Sequence, residues 1–115
     1  MSAARRQKVA DQIQRELSGL VQRELRDPRI GMVTFTGVEV SPDFSHAKVY
    51  FTVLDKDHLP HTLDGLRRAA GYLRSRLAHS IKLYATPELH FFYDESVERG
   101  DRLSRLIDSV ASTRK

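Results

Sequence analysis

The sequence predicts an α+β fold: one three-stranded sheet packed by helices in a two-layer sandwich. Three observations lead there. Long stretches carry apolar residues at helical spacing, three short stretches alternate apolar with polar residues, and the order is helix, strand, strand, helical pair, strand, helix. The middle of that order resembles a strand–helix–strand crossover, and a sheet of three strands needs its apolar face covered by the flanking helices.

The first helix is set by Val9, Ile13, Leu17, Leu20, Val21 and Leu25, with Asp11, Gln14, Arg15, Ser18, Gln22 and Arg23 on the opposite face. Asp27-Pro28 ends it, because proline disfavours helical geometry in the residue before it, and Gly31 then releases the backbone. A strand follows from Met32 to Val40, but its apolar phase slips between Val33 and Phe35 and then Val38 and Val40, which places a bulge at Gly37. Ser41-Pro42-Asp43 reads as a turn, after which Ala47, Val49, Phe51 and Val53 alternate with Lys48, Tyr50 and Thr52 to complete an antiparallel hairpin.

Residues 54–60 read as a polar loop. Leu63, Leu66, Ala69, Ala70, Leu73, Leu77 and Ile81 then run at helical spacing through Gly71, where the chain is expected to kink and divide the stretch into two helices. Thr86-Pro87 closes this section. Leu89, Phe91 and Tyr93 alternate with His90 and Phe92 as a third strand, and Leu103, Leu106, Ile107 and Val110 mark a last helix. Both faces of the third strand are expected to lie in the core, which argues against base stacking on Phe92.

At 115 residues, 40% apolar and 30% charged, the chain fits a single globular domain over residues 5–110, with flexible ends at 1–4 and 111–115. Arg5, Arg6 and Lys8 precede no apolar run, so they are no secretory signal and instead suggest a flexible basic arm. Nowhere is there an apolar stretch long enough to span a membrane, and a cytoplasmic protein is expected. With no cysteine, disulfides, thiolate nucleophiles and thiolate metal sites are excluded.

The charge is local. Residues 65–87 hold Arg67, Arg68, Arg74, Arg76 and Lys82 and no carboxylate; the other 14 Lys and Arg of the chain's 19 face 15 Asp and Glu. Concentrated positive charge on a folded element is the footprint of a surface that meets phosphates. Gly71 costs about 1 kcal/mol relative to alanine inside a helix, so it needs a reason. Either it lets the helix pack closely on the sheet, or Ala69, Ala70 and Gly71 let a nucleic-acid backbone approach a helix start whose free amides suit a phosphate. Arg67, Arg68 and Arg74 would flank that gap. Arg74, Ala78 and Lys82 share one stripe of the second helix, and Arg76 sits next to the buried one.

No catalytic constellation competes. Asp55, Asp57, His58 and His61 sit in a polar loop with Lys56, and His46, His79 and His90 are scattered along the chain. Asp94, Glu95 and Glu98 suit the opening of a helix, and Ser75, Ser80, Ser96 and Ser104 have no partner spacing for a nucleophile. No metal, cofactor or small-molecule substrate is expected. The rival is a protein-interaction module docking through its outer helices without direct RNA contact.

Four segments together resemble the ribosome-binding factor A family: Arg23-Glu24-Leu25-Arg26-Asp27-Pro28-Arg29-Ile30-Gly31, Ser41 to Tyr50, Ala69-Ala70-Gly71 with Tyr72-Leu73-Arg74-Ser75, and Pro87-Glu88-Leu89-His90-Phe91-Phe92-Tyr93-Asp94. The resemblance implies a type II KH-like fold in which an A-x-G kink, here Ala69-Ala70-Gly71, replaces the G-x-x-G loop that clamps nucleotides in ordinary KH domains. It further implies a monomeric bacterial assembly factor, not an enzyme, that binds the 30S small ribosomal subunit and 16S rRNA during late maturation and rRNA processing and supports growth in the cold. The RNA contacts expected on this basis are Arg67, Arg68, Ala69, Ala70, Gly71, Arg74, Arg76 and Lys82, with Arg5, Arg6 and Lys8 in addition.

Overall fold

In the computed structural model, residues 3–25, 30, 33–81 and 86–96 are described. Helix α1 (Ala3–Glu24) buries Ala10, Ile13, Leu17, Leu20 and Val21, the stripe its periodicity demands. It starts ahead of that stripe. Ala3, Ala4, Arg5, Arg6, Gln7 and Lys8 are all good helix formers, so the first basic cluster belongs to the opening turns of α1 and is not an arm.

Strands β1 (Val33–Val40) and β2 (His46–Val53) pair antiparallel, from Val33 opposite Val53 to Val40 opposite Ala47. The register shifts between Phe35 and Gly37, the bulge that the phase slip requires. A bulge interrupts the ladder, and here Gln14 of α1 donates its side-chain amide to the Phe35 carbonyl at 2.9 Å. The turn between the strands is built on Asp43, which accepts from the Ser41 hydroxyl at 2.7 Å, the Ser45 hydroxyl at 2.7 Å and the Ser45 amide at 3.1 Å. Those three donors, the Ser41 hydroxyl foremost, pull its carboxyl from the ordinary 3.8 to about 2. Phe44, next in the turn, has φ of 61°, an uncommon conformation for a bulky residue, and its ring packs against the core.

A single 3-10 turn (Lys56–His58) leads into helix α2 (Leu59–Ser80). The loop expected to reach Pro60 is therefore shorter. Asp55 caps the turn by accepting from the Asp57 amide, and Pro60 falls in the first turn of α2, where its missing N–H costs nothing. The helix runs unbroken through Gly71. The expected division into two helices is corrected: a penalty of about 1 kcal/mol for one glycine does not outweigh good helix formers on both sides and the fully buried Leu66, Leu73 and Leu77. Strand β3 (Glu88–Tyr93) pairs parallel with β2, so the sheet order is β1-β2-β3 and β3 is an edge.

Both helices pack on one face of the sheet, α1 over β1 and α2 over β3. Ile13, Leu17, Leu20, Leu66, Leu73 and Leu77 meet Phe35, Val49, Phe51 and Phe91 there. This is the two-layer α+β sandwich the sequence predicts, with the helix and strand order of a type II KH-like domain. Among the described residues the second face carries no helix. His46, Lys48, Tyr50, Glu88, His90 and Phe92 point outward, and Phe92 is 43% exposed, so the expectation that both faces of the third strand are core fails for that face. The last helix expected near Leu103 to Val110 and the stop at Asp27-Pro28 lie outside the described residues.

Candidate nucleic-acid interface

Helix geometry sorts the basic residues of α2 onto two flanks of the buried stripe. Arg67, Gly71, Arg74 and Ala78 follow one another at intervals of four, three and four residues and form one exposed stripe. Arg68, Tyr72, Arg76 and His79 form the other. The two differ in what their cations touch.

On the first flank Arg67 is exposed and has no hydrogen bond or ion pair among the described residues. Arg74 donates from Nε at 3.2 Å and Nη2 at 3.0 Å to the Thr86 carbonyl, which holds the guanidinium against the lead into β3 without neutralising it. Gly71 lies between them, exposed, and a Cβ placed on it would meet nothing within 4 Å among the described residues. Close packing against the described residues is thus not what the glycine serves. The other reading, a surface bare enough for a backbone to approach, keeps its ground, but without free amides: α2 has no second helix start at Gly71, so the helix offers no new dipole end there.

On the second flank the cations are paired. Arg68 lies 3.2 Å from Asp64, one turn earlier. Arg76 makes a two-point pair with Glu24 at the end of α1, Nε to Oε2 at 3.1 Å and Nη2 to Oε1 at 2.9 Å. Tyr72 donates its phenol to the same Glu24 at 2.9 Å. That phenol foremost, with Arg76 beside it, holds the Glu24 carboxyl below its ordinary 4.5, and the bond to Glu24 keeps the Tyr72 proton on. This cluster ties α1 to α2.

Between the first flank and the sheet edge runs a shallow groove of about 300 Å³, walled by Arg67 and Ala70 of α2 and by residues 88–92 of β3. Ala69 is half-buried and turned toward the core. The β3 wall, with Glu88, His90 and Phe92, was not among the contacts expected from sequence; its only signal is the alternation that sends those three side chains to one face. Lys82 lies outside the described residues. Arg5 and Lys8 are exposed on the first turns of α1, and the half-buried Arg6 sits beside Val38, Glu39 and Val40 of β1, so these three stand on a different element from the α2 stripe.

Such an arrangement defines a class: a small KH-like α+β domain that presents unneutralised cations beside an open groove. Residues 5–107 match the family described as Ribosome-binding factor A. A Nitrosospira multiformis protein of that name is 58% identical over 109 residues, covering 93% of this chain and 86% of its own. Ribosome-binding factor A from Thermus thermophilus, a crystal structure, superposes with a TM-score of 0.70 at 28% identity over 76% of this chain and 93% of its own. A homology model of the Thermus thermophilus factor, fitted into a cryo-electron-microscopy map of a complex with the 30S particle, gives a TM-score of 0.62 at 29% identity over 75% and 91%. The chain belongs to the ribosome-binding factor A family.

Proposed function

We propose that this protein is a maturation factor of the small ribosomal subunit. It binds the 30S particle, contacts 16S rRNA during late assembly and rRNA processing, and supports growth in the cold. Family membership carries this reading, together with the fit of a relative into a map of a 30S complex. The Arg67, Gly71 and Arg74 flank supports an RNA contact through side-chain cations and a close backbone approach. Binding is its chemistry: it works as a monomer, without cofactor or small-molecule substrate, in the cytoplasm where subunits mature. Arg68 and Arg76, already paired with carboxylates, contribute less than Arg67 and Arg74.

Sedimentation with purified small and large subunits at low and moderate salt tests the reading. The expected result is co-migration with the small subunit alone, weakening with salt at a log–log slope of about −3 to −5, as four to six neutralised phosphates would give. Absence from both subunits at low salt would overturn it. Salt-insensitive co-migration would replace the RNA contact with docking on a ribosomal protein.

A further inference from the structure

We propose that His46, Glu88 and His90 form a binding site for a divalent transition-metal ion of the zinc class at the β2–β3 edge of the sheet. The parallel register sets His46 opposite Glu88 and Lys48 opposite His90, and strand alternation turns all three candidate ligands to the open face. His46 Nδ1 lies 3.0 Å from His90 Nε2 and 3.7 Å from Glu88 Oε2, and the three ligand atoms fall within 4.8 Å of one another. An ion bonded at about 2.0–2.1 Å in tetrahedral geometry holds neighbouring ligand atoms about 3.3–3.4 Å apart. The two His46 separations bracket that value, and side-chain rotation of Glu88 and His90 has to set the third, which lies within 4.8 Å.

A hydrogen bond alone accounts for less of this geometry. It uses one proton between the two imidazoles and leaves Glu88 beyond hydrogen-bonding distance of His46 Nδ1. Two imidazoles and a carboxylate are the donor set suited to zinc and its neighbours, and three protein ligands leave a fourth position for water or a ligand. The backbone is pinned for the purpose. The His46 amide donates to the Ser41 hydroxyl at 3.0 Å, and the Glu88 amide to the Ser45 carbonyl at 2.9 Å, so one turn fixes the starts of both strands. Glu88 and His90 also wall the groove beside Arg67. A bound dication would turn the negative rim at Glu88 into a positive one.

The test uses the full chain without an affinity tag, titrated with Zn²⁺ by calorimetry and with Co²⁺ by visible absorption. One equivalent is expected to bind saturably in the micromolar range. His46→Gln and His90→Gln are each expected to weaken binding at least about tenfold, and the double variant to abolish it. His58→Ala with His61→Ala is expected to leave it unchanged. Zn²⁺ should also raise the melting temperature of the parent chain and not of the His46→Gln, His90→Gln variant, with circular dichroism establishing that the variants are folded. No binding at millimolar metal, or binding that survives the double variant, or binding lost with His58 and His61, would overturn the site.

Discussion

The two flanks of α2 hold the same number of arginines in opposite states. Each carries two arginines, yet Arg68 and Arg76 are spent on Asp64 and Glu24, while Arg67 meets no partner among the described residues and Arg74 meets only a neutral carbonyl. Residues 65–87 hold no carboxylate, but Asp64 is one residue outside that window and Glu24 comes from another helix. Charge counted along a sequence is therefore not charge available in space. A phosphate approaching the first flank would displace no ion pair among the described residues, whereas on the second it would compete with Asp64 and Glu24.

Reversing the first flank with Arg67→Glu and Arg74→Glu is the largest expected effect: at least roughly 100-fold weaker binding to the small subunit, since each lost charge-assisted contact is worth about 1.5–3 kcal/mol. Measured affinity within threefold of the parent would erase the distinction between the flanks. Next comes Gly71→Gln, which keeps a helix former at that position but fills the bare surface. It is expected to cost about tenfold in affinity, on the order of 1.4 kcal/mol, with no loss of thermal stability. Gly71→Ala should stabilise the fold by about 1 kcal/mol, read in denaturant melts, because a Cβ there has open space.

Neutralising the second flank with Arg68→Gln and Arg76→Gln is expected to change affinity by less than about threefold, in keeping with the small worth of exposed pairs. Its effect should appear instead as a modestly lower melting temperature, because Arg76, Tyr72 and Glu24 join α1 to α2. The smallest effect separates this helix–helix tie from the hairpin turn by pH. Asp43 and Glu24 both have depressed folded values, so each stabilises the fold fully above its ordinary range and loses that contribution as pH falls through the folded value. For Asp43 the window runs from 3.8 down to about 2. Asp43→Asn should thus lower the melting temperature at neutral pH and flatten its fall across that window, whereas the same substitution pattern in Glu24→Gln should act below 4.5.

What could be read from the sequence was what neighbouring residues decide. The α1 stripe, the alternation in β2 and β3, and the bulge at Gly37 are periodicities or breaks in them, and each appears in the structure. Local cues fail where tertiary packing outweighs them. The local pattern places Pro60 in a loop, although the first turn of a helix accepts it, and a kink at Gly71, although buried leucines on both sides hold the helix together. Partners distant in sequence stayed invisible. Glu24 reaches Arg76 only because α1 and α2 lie side by side, and His46 and His90, scattered along the chain, become neighbours only through the parallel register of β2 and β3.

That parallel pairing also has a consequence in time. The β1–β2 hairpin closes a turn of a few residues, whereas the β2–β3 pairing must close over the whole intervening segment that contains α2. Loop-closure entropy makes such non-local pairing the slow event in folding. The groove beside Arg67 takes one wall from α2 and the other from β3, so it does not exist until that event is complete. A chain that has formed its hairpin and first helix but has not yet seated β3 therefore still lacks this groove, whose two walls lie far apart in sequence.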